Sequence, residues 1–153
     1  MKDLATGLPE LIVQNRQRMV PVNLGWLRKV AAFALPLCAE HSADGLFTLK
    51  ELDEVVVTIV SDKRIAEIHM DFMGIPGATD VITFQHGEVV ISAETALRYA
   101  KENGQLPMAE LALYMVHGFL HLNAHEDGTE LQRTRMHAVQ DVIWRQALDA
   151  LPV

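Results

Sequence analysis

The sequence predicts an α/β chain of the α+β type, one domain over residues 1–153 with a mixed sheet of about four strands and five helices. Three observations carry this. Short β-branched, apolar runs alternate with longer stretches of helical periodicity. Most of the periodic stretches are preceded by a residue able to cap a helix. One stretch, MAELALYMVHGFLHL, is apolar on almost every side, the mark of a helix buried at the centre of a domain.

The elements follow in order. Leu11–Gln14 reads as a short strand, with Asn15–Arg18 polar after it. Asn23 can cap a helix from Leu24 to about Leu37, with Leu27, Val30, Ala31, Ala34 and Leu35 on its apolar side. Ser42–Gly45 is a turn. Glu54–Val60 is β-branched and suits a strand buried on both faces. Ser61 can cap a helix from Asp62 to about Phe72, with Ile65, Ile68 and Phe72 at helical spacing, ended by Gly74-Ile-Pro-Gly77. Val81–Gln85 and Glu88–Ser92 read as paired strands across His86-Gly87. Ser92 can cap a helix from Ala93 to about Glu102, stopped by Asn103-Gly104. Pro107 suits the first turn of the apolar helix, which should end near Asn123. Thr129 and Gln132 form a plausible capping box for a last helix from about Glu130 to Asp149.

Composition bounds the function. Half of the 153 residues are hydrophobic and 22% are charged, enough for a packed core and unlike a disordered chain. No apolar run approaches the ~20 residues that span a bilayer. The first residues carry two acids and no continuous apolar core, so no signal peptide is expected. Cys38 is the only cysteine and sits in an apolar stretch, which together with these features suggests a reducing, cytoplasmic setting. The formal net charge of −7 argues against broad nucleic-acid binding, and DNA is not expected as a partner. The basic residues fall in small groups, such as Arg16 with Arg18 and Lys63 with Arg64, and read as solvated surface charge.

Three of the seven histidines fall close together: His117, His121 and His125, with Asp127 just beyond. Residues four apart lie one turn apart on one helix face, so His117 and His121 can point at a single ion. A third ligand must come from another direction, and the loop at 125–127 can supply it if the chain turns back over the helix end. Two imidazoles plus a carboxylate or a third imidazole, with one open position, describe a catalytic zinc site. Iron, nickel or manganese would accept the same donors. The residue after His117 is Gly118, where a zinc protease of the H-E-x-x-H type has its glutamate base, so that chemistry is disfavoured. Gly118 itself implies either another backbone close to the helix or tight helix packing.

His117-Gly118-Phe119-Leu120-His121-Leu122-Asn123-Ala124-His125-Glu126-Asp127 resembles the signature H-G-x-L-H-L-x-G-x-D-H of the YbeY family of endoribonucleases. Ala78-Thr79-Asp80-Val81-Ile82-Thr83-Phe84 is similar to a second block of that family, P-T-D-V-[LI]-[ST]-F. Gly87-Glu88-Val89-Val90-Ile91-Ser92 is similar to a third, G-[DE]-[IV]-x-I-S. Order and spacing agree along most of the chain. The departures are Ala124 for the family's glycine, Glu126 for its aspartate, Asp127 for its third metal histidine, and Met73 where an arginine tied to RNA is common.

The resemblance implies a metal-dependent endoribonuclease of single-stranded RNA. It would act in ribosomal RNA maturation and ribosome quality control, with ribosomal RNA and the small ribosomal subunit as partners. Its metal, one divalent transition ion and by preference Zn2+, would be held by His117, His121 and Asp127. Asp127 lies ten residues after His117, in the register of the family's third ligand, and just before Gly128, where the chain can turn back. His125 is the alternative, but it follows His121 by one turn and would continue the same face. No catalytic base is assigned, although Glu126 is a possible proton acceptor. Phe72, Phe84 and Phe119 are candidates for base stacking that core packing would equally explain. Two other readings are a ribosome-associated assembly factor with a structural metal and no cleavage, and a small-substrate metallohydrolase.

Overall fold

The computed structural model describes residues 2–153. Ten elements follow the chain: β1 (Glu10–Asn15), α1 (Leu24–Glu40), a 3-10 turn (Thr48–Glu51), β2 (Glu54–Val60), α2 (Asp62–Met73), β3 (Val81–Phe84), β4 (Glu88–Ser92), α3 (Ala93–Glu102), α4 (Pro107–Leu122) and α5 (Glu130–Ala150). The single mixed sheet has the order β1-β2-β4-β3. β1 and β4 run parallel to the central β2, and β3 closes one edge antiparallel to β4. This is the α+β arrangement expected, with four strands and five α-helices.

The registers explain how the sheet carries the helices. Val13, Val57 and Val89 are paired across three strands and all belong to the main core. The next residue in that row, on the edge strand, is Thr83. The central α4 packs on this face against β3 and β4, α1 packs against β1, and α3 and α5 pack against α4. β2 is buried on both sides, because Val60 and Val90 on the opposite face form a second cluster with Ile65 of α2. Burying apolar surface at about 25 cal/mol per Å² is what fixes this register, since a one-residue slip would turn the whole valine row to the other side.

The expected caps are formed. Asn23, Ser61, Ser92 and Thr129 each accept a backbone N–H, and Thr129 with Gln132 completes the capping box. Two boundaries differ. α1 continues through Pro36 to Glu40, because Leu35, Cys38 and Ala39 extend its buried side and packing outweighs the lost proline bond. The 3-10 turn at Thr48–Glu51 lies where no element is expected. It exists for tertiary reasons: Thr48 Oγ1 donates to Leu122 O at 2.6 Å, and Leu49 N donates to Asn123 Oδ1 at 3.1 Å.

Candidate metal centre

Helix α4 is held to the sheet at one point with no tolerance. A Cβ on Gly118 would lie 2.4 Å from Val89 Cγ1, below any real contact. The glycine therefore admits a side chain of the sheet, rather than a neighbouring backbone or helix. That contact sets the rotation of α4, and with it the direction of the flanking residue His117. His121 follows one turn later on the same face.

Both imidazoles are oriented from behind. His121 Nδ1 lies 2.9 Å from His125 O, and a carbonyl can only accept, so Nδ1 carries the proton and Nε2 presents its lone pair. His117 Nδ1 lies 2.7 Å from Gln140 Oε1 of α5. The two Nε2 atoms then face one another at 3.0 Å. Burial, reinforced by the nearby His121, pushes His117 below the ordinary imidazole pKa, against the opposing pull of Gln140, Asp80 and Asp127. The neutral form so favoured is the one that binds metal.

The loop after α4 supplies the third group through a defined turn. Ala124 adopts the left-handed region at φ 68°. Its N–H donates to His121 O at 3.3 Å, and His125 N donates to Leu120 O at 3.0 Å. These are the two bonds of a Schellman motif, which ends the helix and reverses the chain. Asn123, fully buried, anchors the corner by donating from Nδ2 to Cys38 O at 2.8 Å and to His41 O. Asp127 is thereby brought back over the helix face, with its carbonyl accepting from Arg133 Nη1 at 3.1 Å.

Asp127 Oδ2 lies 3.4 Å from His121 Nε2 and 3.8 Å from His117 Nε2. His117, His121 and Asp127 are the group among the described residues able to hold a metal ion, with their donor atoms all within 4.8 Å of one another. A tetrahedron with bonds of about 2.0–2.1 Å has edges of roughly 3.4 Å. The three observed separations bracket that length. The chemistry of the set also fits, because two lone pairs and a carboxylate converge.

His125 falls outside this group. The residue is 4% exposed and its Nε2 is buried without a hydrogen-bond partner. Burial lowers its pKa, and the groups that act on it are His41, His121 and Asp44. It serves the centre through its carbonyl. Glu126 is exposed and accepts from Gln132 Nε2 at 3.3 Å.

The three donors open onto a cleft walled by Met73, Thr79, Asp80, Thr83 and Gln85. Asp80 performs the turn chemistry its position suggests, accepting from Val81 N at 2.8 Å, and also faces this cleft. The Thr83 hydroxyl is buried without a partner, and Gln85 Nε2 donates to His121 O at 3.4 Å. Of the three phenylalanines, Phe119 is core. Phe72 is 70% exposed and meets Phe84 edge-on at 5.2 Å, while Phe84 stacks on His86 at 5.7 Å. Sequence reasoning passed over Gln140. The available signal was its place in the stripe Met136, Gln140, Ile143, Ala147, the one polar residue on the buried side of α5.

The comparisons with known proteins agree with one another. A family profile described as Endoribonuclease YbeY matches residues 13–147. The Endoribonuclease YbeY of Geobacter sulfurreducens is 30% identical over 150 residues, covering 88% of this chain and 93% of that protein. The protein of the same name from Moorella thermoacetica is 33% identical over 156 residues, covering 88% and 94%. The solution structure of TM1509 from Thermotoga maritima shares the fold, with a TM-score of 0.59 at 19% identity, covering 90% of this chain and 91% of that one.

Proposed function

This chain belongs to the Endoribonuclease YbeY family, and from that premise we propose that it is a metal-dependent hydrolase of single-stranded RNA, acting in ribosomal RNA maturation and ribosome quality control. Its ligands are His117, His121 and Asp127, and its metal is one divalent transition ion, Zn2+ by preference. The observation that carries this reading is the convergence of two Nε2 lone pairs and a carboxylate at 3.0, 3.4 and 3.8 Å. A divalent ion bound there supplies Lewis-acid chemistry, lowering the pKa of water toward ~7 and offsetting charge on a phosphoryl oxygen. The residues hold that chemistry in place. His121 is fixed by a backbone carbonyl and His117 by an amide, so neither ring has to turn. Three protein donors leave a position open for substrate.

The cleft suits a strand of RNA whose phosphate reaches the donors. On its wall, the open edge of β3 offers backbone groups. The work would take place in the cytoplasm, on the small ribosomal subunit. No helix among the described residues is long and apolar enough to cross a membrane. A second reading, an assembly factor that binds the subunit without cutting, is favoured by Met73, which puts a thioether on the cleft wall in place of a cation.

The test is cleavage of ribosomal RNA by the purified protein with a chelator, then with zinc restored. Cleavage lost to the chelator, regained with zinc and missing in His117→Ala supports the nuclease. Co-sedimentation with the small subunit without cleavage in any metal would establish the second reading instead.

A further inference from the structure

We infer that Gln140 is a positioning residue of this centre: its side-chain oxygen fixes the proton of His117 on Nδ1 and so presents Nε2 to the metal. The inference rests on the metal reading above and adds a residue to it. Gln140 lies 23 positions from His117, on α5, and is 7% exposed. It occupies the one polar place in a stripe whose other members, Met136, Ile143 and Ala147, are buried apolar residues. An amide costs free energy in such a place unless it is bonded. The bond it makes is to His117 Nδ1, at 2.7 Å. Leucine or methionine would fill the site without that cost, so what a glutamine adds there is this bond.

The direction of the bond matters. A neutral imidazole carries one proton, on Nδ1 or on Nε2. With Oε1 toward Nδ1, the proton sits on Nδ1 and the Nε2 lone pair faces His121 Nε2 and Asp127. If the amide nitrogen faced the ring instead, the proton would move to Nε2 and point at the place the metal takes. His121 has no such choice, because its partner is a carbonyl. The centre thus has one histidine fixed by the backbone and one fixed by a side chain from another helix. A hydrogen bond behind a ligating histidine raises its basicity and restrains its ring, and losing it typically costs ~10–100-fold in metal affinity.

The test compares zinc affinity, by competition with a chelating dye, for the wild-type chain, Gln140→Leu and Gln140→Glu. Leucine continues the apolar stripe of α5, so the packing there is kept. Its zinc affinity should fall by about tenfold or more. Glutamate can only accept, so it should keep or exceed wild-type affinity. NMR of the zinc-loaded proteins adds a signature that packing alone would not move. The Nδ1 proton of His117 should be hydrogen-bonded and slow to exchange in the wild type and in Gln140→Glu, and fast in Gln140→Leu. If Gln140→Leu binds zinc as tightly as the wild type, or Gln140→Glu binds as weakly as Gln140→Leu, the assignment is wrong. If the wild type itself binds no zinc, iron, nickel or manganese, the metal reading fails and the role of Gln140 falls with it.

Discussion

The two halves of the candidate centre are built differently. The helix half, His117 and His121, sits on α4, which Gly118 locks against Val89. Both side chains are under 20% exposed, and both Nδ1 atoms are engaged. The loop half, Asp127, has a side chain 48% exposed, and what fixes its backbone is a Schellman turn, a buried Asn123 and one bond from Arg133. Rigid helix faces give precise donors, whereas a short loop can adjust its carboxylate by small rotations. The difference teaches that errors in the two halves should have different consequences. A change under the helix should misplace both imidazoles, while a change in the loop should mainly alter one ligand.

The largest effects are expected in the helix half. His117→Ala and His121→Ala should each leave two donors and lose most bound metal, measured as metal content of the purified proteins. Full occupancy in either would break the comparison at its root. Next is the loop. Asp127→Asn should weaken zinc binding by about tenfold or more, whereas His125→Ala, which keeps the carbonyl, should change it only a few-fold. The reverse order would mean that the imidazole of His125 is the ligand.

Stability sharpens the contrast. Gly118→Ala gains up to ~1 kcal/mol of helix propensity but drives a methyl into Val89. Overpacking of this kind costs about 1–3 kcal/mol, so denaturant unfolding should show net destabilisation. Ala124→Gly should do the opposite. It removes the left-handed strain of a residue at φ 68° and should stabilise the chain by about 1 kcal/mol with metal affinity unchanged. A destabilised Ala124→Gly would show that this corner is not strained. The smallest effect is expected across the cleft. Met73→Arg should tighten single-stranded RNA binding a few-fold and steepen its salt dependence by about one phosphate contact. An unchanged salt slope would mean that RNA does not pass position 73.

The same division governs what could be read from the sequence. The helix half was legible because periodicity places residues four apart on one face whatever the rest of the chain does. The strands and caps were legible for similar reasons, since valine runs and single Ser, Asn or Thr residues act locally. Register and the turn expected at Gly128 favour Asp127 over His125 in the sequence. The reversal begins earlier than Gly128, at Ala124, where an alanine gives no warning of a left-handed residue. Gln140 was hidden because its partner lies on another helix, and a polar residue on a long helix usually faces water. The sequence marks Asn123 as a helix end, yet its side chain ties α4 to α1 and to the unexpected 3-10 turn. Such bonds depend on where distant segments meet, which no local pattern records. The role of Gly118 needed Val89 in the register of β4 before it could be decided.

The central claim is that one ion is held by one carboxylate from the loop and two Nε2 atoms from the helix. Crystals soaked in zinc and measured at the zinc absorption edge test it directly. A single anomalous peak bounded by His117 Nε2, His121 Nε2 and Asp127 is the result expected. A peak seated on His125, or none at that place in a fully soaked crystal, would contradict it.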